Sequence, residues 1–160
     1  MGSPNQNWDR WIFASVSQHF KDNVADVFTI KQFVEGQFRD TNKENEFFEV
    51  RVDGPVAREV SKNNWQLVAE INCLISTGFS DKDFHKHRRN VGRVSSGFNH
   101  CISVFKYGTD VDDDQTLLGV LHLRGPTDDS VVTTHFGQVG PRTEMQQTTI
   151  EGHYEMELTT

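Results

Sequence analysis

Seven histidines and two cysteines are the side chains of this sequence best suited to chemistry, and their spacing limits what they can do. His85 and His87 stand two apart in a stretch of helical periodicity. That sets them roughly 200° apart around the axis, whereas ligands sharing one helix face need a spacing of three or four. His100, His122, His135 and His153 fall in separate strand-like segments, and no CxxC pair is present to build a thiolate zinc cage. Cys73 and Cys101 both lie in strand patterns with apolar neighbours and no adjacent glycine turn, which predicts buried, reduced, unreactive thiols. The acid pairs Glu155 with Glu157 and Glu49 with Asp53 follow from strand alternation on a solvated face and need no catalytic role. GxxxxGK[ST], GxGxxG and GxSxG are all missing, so nothing announces a phosphate cradle or a strained nucleophile. These residues predict a protein that is not an enzyme and takes no metal or cofactor.

Two charged features remain as candidates for contact. KHRRNVGR, with Lys86, Arg88, Arg89 and Arg93, offers a basic surface to an acidic partner or to nucleic acid, or simply a solvated helix face. The acidic run Asp110, Asp112, Asp113 and Asp114 lies between two strand patterns and reads as a hydrophilic hairpin connection. In a ring, the basic helix of one subunit could meet the acidic run of the next. Acidic side chains could equally line a channel and repel a polyanion passing through it.

The elements that must carry these residues follow from periodicity. Trp8, Trp11, Ile12, Val16, His19 and Phe20 share one helical face, predicting a helix over Asn7 to Asp22. VFTIKQFV, from Val27 to Val34, has strand composition and leads to a polar connection over 39–46. In EFFEVRVDGP, Phe48, Val50 and Val52 alternate with Glu49, Arg51 and Asp53, and Gly54-Pro55 is expected to stop the strand. Asn63 and Asn64 suit a turn before the alternating strand Trp65 to Cys73. Phe84, Val91, Val94 and Phe98 predict a second helix over Asp81 to Gly97, capped by Ser80 or Asp81. CISVFKY, TLLGVLHLR, VVTTHF and a long segment from Met145 to Leu158 complete the strands. Helices segregated from mostly consecutive strands predict an α+β fold, with a mixed, largely antiparallel sheet and two helices packed on one face.

The 160 residues suit a single domain able to bury a core without disulfide or metal staples. No run approaches the roughly 20 apolar residues of a membrane span, and the first ten residues lack the pattern of a secretory signal. The net charge of −7 is uneven: residues 1–80 carry 8 basic and 11 acidic side chains, 81–100 carry 5 and 2, and 101–160 carry 3 and 10. So acidic a chain is not expected to wrap DNA by neutralising phosphates.

The strand EVRVDGP, the following WQLVAEINCLIS and the closing FGQV…QQTTIEGHYEMEL resemble tail terminator or neck proteins of tailed bacteriophages, over about Phe33 to Leu158. The resemblance implies a virion protein without an active site. Such a subunit forms a homo-hexameric ring at the head-proximal end of the tail tube and stops tube growth. Its implied partners are the tail tube protein and a head-completion or connector protein, around a channel that DNA crosses without sequence-specific binding. Other neck components, head-closure or adaptor proteins, and tube subunits are the alternative. The matched positions Arg51, Asp53, Gly54, Pro55, Glu70 and Asn72 carry over as structural or contact residues. With Lys86, Arg88, Arg89, Arg93, Asp112, Asp113 and Asp114, the charged residues Arg51 and Asp53 form the expected subunit or partner interface.

Overall fold

The computed structural model describes residues 7–35, 45–79, 82–106, 116–124, 131–138 and 145–159. Helix α1 spans Trp8–Phe20 and buries Trp8, Trp11, Ile12, Ser15, Val16 and Phe20, the stripe expected from the sequence plus one serine. It does not end at Asp22. A wider π turn, Lys21–Ala25, carries Val24 into the core four residues after Phe20, and a last helical turn, α2, covers Asp26–Phe28. Thr29, in the left-handed region at φ 57°, ends it. Strand β1 is therefore only Lys31–Val34, and Val27, expected in that strand, is an exposed helical residue. Continuing the buried helical stripe outweighed the strand propensity of Val27 and Phe28.

Strands β2 (Glu46–Ser61) and β3 (Asn64–Gly78) form a long hairpin, and Asn63 takes the left-handed turn position at φ 64°. The chain passes through Gly54-Pro55 instead of stopping there. A register shift between Asp53 and Val56 absorbs the pair, with Gly54 at φ 101°, where an added Cβ would lie 3.0 Å from the Val68 carbonyl oxygen. β1 pairs with β2 only from Phe47 to Val50, so Pro55 lies beyond the described ladder on that edge, where a missing N–H is tolerated.

Helix α3 spans Lys86–Ser95. It starts later than expected: Asp83 Oδ1 accepts the His85 N–H at 3.1 Å, and Phe84, expected on the apolar helix face, precedes the helix and is 77% exposed. The expected caps Ser80 and Asp81 lie outside the described residues. Strands β4 (Cys101–Lys106), β5 (Thr116–Leu123), β6 (Val131–Gln138) and β7 (Met145–Thr159) follow.

The strand order is β1-β2-β3-β7-β5-β4 in one curled, seven-stranded sheet; all described pairings are antiparallel except β1 with β2. β7 is central. One edge pairs with β3 along its whole length; the other is shared between β6 on its first half and β5 near its C-terminus. Alternation then sorts the side chains. Phe48, Val50 and Val52, Leu67 to Ile75 at odd positions, and Ile150, Tyr154 and Met156 enter one core with the buried faces of α1 and α3. Both helices thus lie on one face, as the sequence predicts. The chain is α+β, and among the described residues no helix is long and apolar enough to cross a membrane.

Candidate functional site

The opposite face of the sheet follows from register. Arg51, Asn72 and Glu151 form one row across β2, β3 and β7, and Asp53, Glu70 and His153 form the next. Asn72 Nδ2 donates to Asp53 Oδ2 at 2.5 Å, Arg51 lies 4.0 Å from Glu35, and Gln66 Nε2 donates to Glu155 Oε2 at 3.1 Å. Arg124 reaches Glu155 from the end of β5 at 3.6 Å. Glu49 and Glu157 also fall on this face, against Arg51, Arg58, Arg124, His153 and, by its register with Phe47, Lys31. Acids outnumber bases there because a helix-free strand face has to be solvated, and this chain solvates it with carboxylates. Of the expected contact residues, Arg51 and Asp53 lie here, beside Glu70 and Asn72. Near one corner Phe33, Phe47 and Met145 make a small second apolar cluster.

The other expected cations ring α3 and are held by different elements. Lys86 pairs with Glu46 of β2, Arg88 Nη1 donates to His135 Nε2 of β6 at 2.7 Å, and Arg93 stacks over the Phe28 ring at 5.6 Å. Arg89 Nη1 lies 3.0 Å from Asp83 Oδ2, and that hydrogen bond holds the Asp83 carboxyl below its usual range. Asp112, Asp113 and Asp114 lie outside the described residues.

Beneath the basic helix runs a polar chain that spacing alone does not reveal. A guanidinium has only donors, so His135 Nε2 accepts from Arg88 and its Nδ1–H donates to Thr148 Oγ1 at 2.8 Å. The Thr148 hydroxyl proton is then left for His87 Nε2 at 2.7 Å, and His87 Nδ1–H donates to Thr77 Oγ1 at 2.9 Å. Asn90 Nδ2 also donates to Thr77 Oγ1 at 3.2 Å. Both rings are neutral in this order. Burial first, then the charges of His135 and Arg88, lowers the His87 pKa from 6.5 to about 4, and burial and Arg88 lower that of His135. The available signal was that His87 stands four before Val91 and seven before Val94, on the buried helix face.

The cysteines divide. Cys73 is buried and its thiol is pushed well above the ordinary value by burial. Cys101, expected to be buried, is exposed: Ile102 and Val104 take the core face of β4, which turns Cys101 outward, with Sγ 3.4 Å from His122 Nδ1. Folded protein treated with a thiol-alkylating reagent should therefore be modified once, at Cys101, and a second time only after denaturation. Rapid double labelling of the native chain, read by intact mass, would contradict this placement. A cleft of about 670 Å³ between α1 and β1 has Lys21, Lys31 and Asp26 as its titratable lining. Among the described residues, no group of three His, Cys, Asp or Glu side chains is placed to hold a metal.

No family model and no curated protein matches this chain. One solved structure superposes on 95% of this chain and 96% of its own length, with a TM-score of 0.54 at 9% identity, a likeness of fold alone.

Proposed function

We propose that this chain is a virion assembly subunit of tailed bacteriophages. It acts as a tail terminator, forming a homo-hexameric ring at the head-proximal end of the tail tube, stopping tube growth and joining tail to head or neck without a catalytic step. The observation that carries this reading is the sheet face opposite the helices, where the carboxylates Glu49, Asp53, Glu70, Glu151, Glu155 and Glu157 outnumber the described cations Lys31, Arg51, Arg58 and Arg124. A wall past which DNA must slide has to avoid gripping phosphates. Each cation that neutralises a phosphate releases counterions and adds affinity, so an acid-rich face suits passage and a basic one would stall it. With both helices on the other side, the sheet face is available to line a channel while the helices face outward.

The test is electron microscopy of the purified protein mixed with tail tubes. Tubes of fixed length with added density at one end are the expected result. Rings that ignore tube ends would overturn termination, and self-polymerisation into tubes would assign the chain to the tube instead.

A further inference from the structure

β1 is an edge strand that pairs with β2, and its helix-side residues Gln32 and Val34 lie in register with the core residues Phe48 and Val50. A glutamine is out of pattern at such a position. The cleft of about 670 Å³ between β1 and α1 opens there, with Ala14, Ala25, Ile30 and Val34 as its apolar walls and Ser17 and Gln32 among them. That volume falls within the range of about 300–1,000 Å³ typical of small-molecule sites.

Ser17 and Gln32 supply two of the four buried side-chain atoms that have no hydrogen-bond partner among the described residues, Ser17 Oγ and Gln32 Oε1. Gln32 Nε2 donates to the Ser17 carbonyl at 3.1 Å, and a carbonyl only accepts, so the amide is fixed with its oxygen as the unmatched end. A helical serine can place its hydroxyl on the carbonyl one turn back; Ser17 does not. Buried oxygens without donors destabilise the free protein, and a bound molecule that brings donors to them recovers that loss. The charges around the cleft select against an ion. Lys31 contributes to the lining, but by register with Phe47 its side chain lies on the other face of the sheet, with its ammonium 5.5 Å from the Phe33 ring centroid. Lys21 and Asp26 remain, one of each sign.

We infer that the cleft between α1 and β1 binds an uncharged amide bearing a branched aliphatic group, whose N–H groups donate to Gln32 Oε1 and Ser17 Oγ while the aliphatic part lies against Ala14, Ala25, Ile30 and Val34. Both oxygens are turned away from solvent in the free protein, so binding includes a rotation of the Ser17 hydroxyl about its one side-chain bond and a tilt of the Gln32 amide. An ester of the same shape offers no donor and leaves both oxygens unmatched, which makes the site selective for amides. This site is independent of the assembly role proposed above.

The probe is N-acetyl-leucine N-methylamide, titrated into the isotope-labelled full chain and followed by nuclear magnetic resonance. Saturable shifts of the Gln32 side-chain amide and of the Ser17, Ile30 and Gln32 backbone amides are expected, at about millimolar affinity. The diester analogue, with oxygen in place of both N–H groups, should bind about tenfold more weakly. Ser17→Ala removes one unmatched oxygen, so its urea midpoint should equal or exceed that of the wild type while the preference for amide over ester falls about threefold or more. Gln32→Leu should remove most of what preference is left. Absence of saturable shifts at these residues up to about 10 mM probe, equal binding of the diester, or a Ser17→Ala variant with a lowered midpoint and an unchanged preference would each overturn the site.

Discussion

Lowering the pH from 7 to 4 will cost the folded protein about 2 kcal/mol of stability through His87 alone. In the unfolded chain this imidazole takes a proton near its ordinary 6.5; in the folded chain it resists until about 4. The unfolded state therefore binds more protons across that window. His87 contributes its full stabilisation above 6.5, loses it progressively as the pH falls, and adds no further loss below about 4. Full linkage over this range would be worth roughly 3 kcal/mol, and solvent reaching the exposed Arg88 and His135 end of the chain reduces it. The cost is structural as well as dielectric. A proton on His87 Nε2 would face Thr148 Oγ1, which already accepts from His135, and would displace the hydroxyl proton from its only partner in that order. His87→Gln keeps a polar side chain but cannot titrate, so its unfolding free energy should be flatter between pH 6.5 and 4. Denaturant titrations giving the same slope for both proteins would place the acid sensitivity elsewhere.

The second large effect is at Gly152, in the middle of β7 opposite Ile71 on one side and Val131 on the other. A Cβ built there would lie 2.6 Å from Phe98 Cδ1 and 2.9 Å from Tyr154 Cε2. The Phe98 ring occupies the space a side chain would fill, and it is held by an edge-on contact with Phe20, centroids 5.2 Å apart. Tyr154 cannot yield either, since it is fully buried and its hydroxyl donates to the Asn99 carbonyl at 2.8 Å. Gly152→Val should destabilise the protein by about 3 kcal/mol, and Gly152→Ala by about 2, because the ring covering the glycine must leave and expose the centre of the core. Urea denaturation with unchanged midpoints would show that Phe98 swings away freely. The same ring cluster closes over Gly97, where a Cβ would meet Phe20 Cε1 at 2.6 Å, so substitutions at the two glycines are not expected to add.

Much of the fold was legible because burial acts through local period. The stripe Trp8 to Phe20 and the alternations in EFFEVRV and WQLVAEINC each name their core face without reference to any other element. Most departures from the expected elements lie at boundaries where a distant contact decides. The first helix continues because Val24 has a core to enter, β2 passes Gly54-Pro55 because β3 holds it in register on the other side, and Phe84 is exposed because α3 begins after it. Cys101 faces outward for a similar reason, since an edge strand takes its buried parity from its partners. Of the candidate site, residue types were legible and neighbours were not. Nothing in the spacing of His87, His135 and Thr148 indicates that they touch.

The sequence by itself determined the class: two helical stripes, alternating strands and a charge divided between a basic helix and an acidic C-terminal part, all written in short-range patterns. Only the tertiary structure decided that the acids of three strands share the face opposite the helices, and that His87 is locked in a neutral chain. Those facts depend on which strands pair and in what register, and pairing is set by contacts between residues far apart in the chain, which local periodicity does not encode.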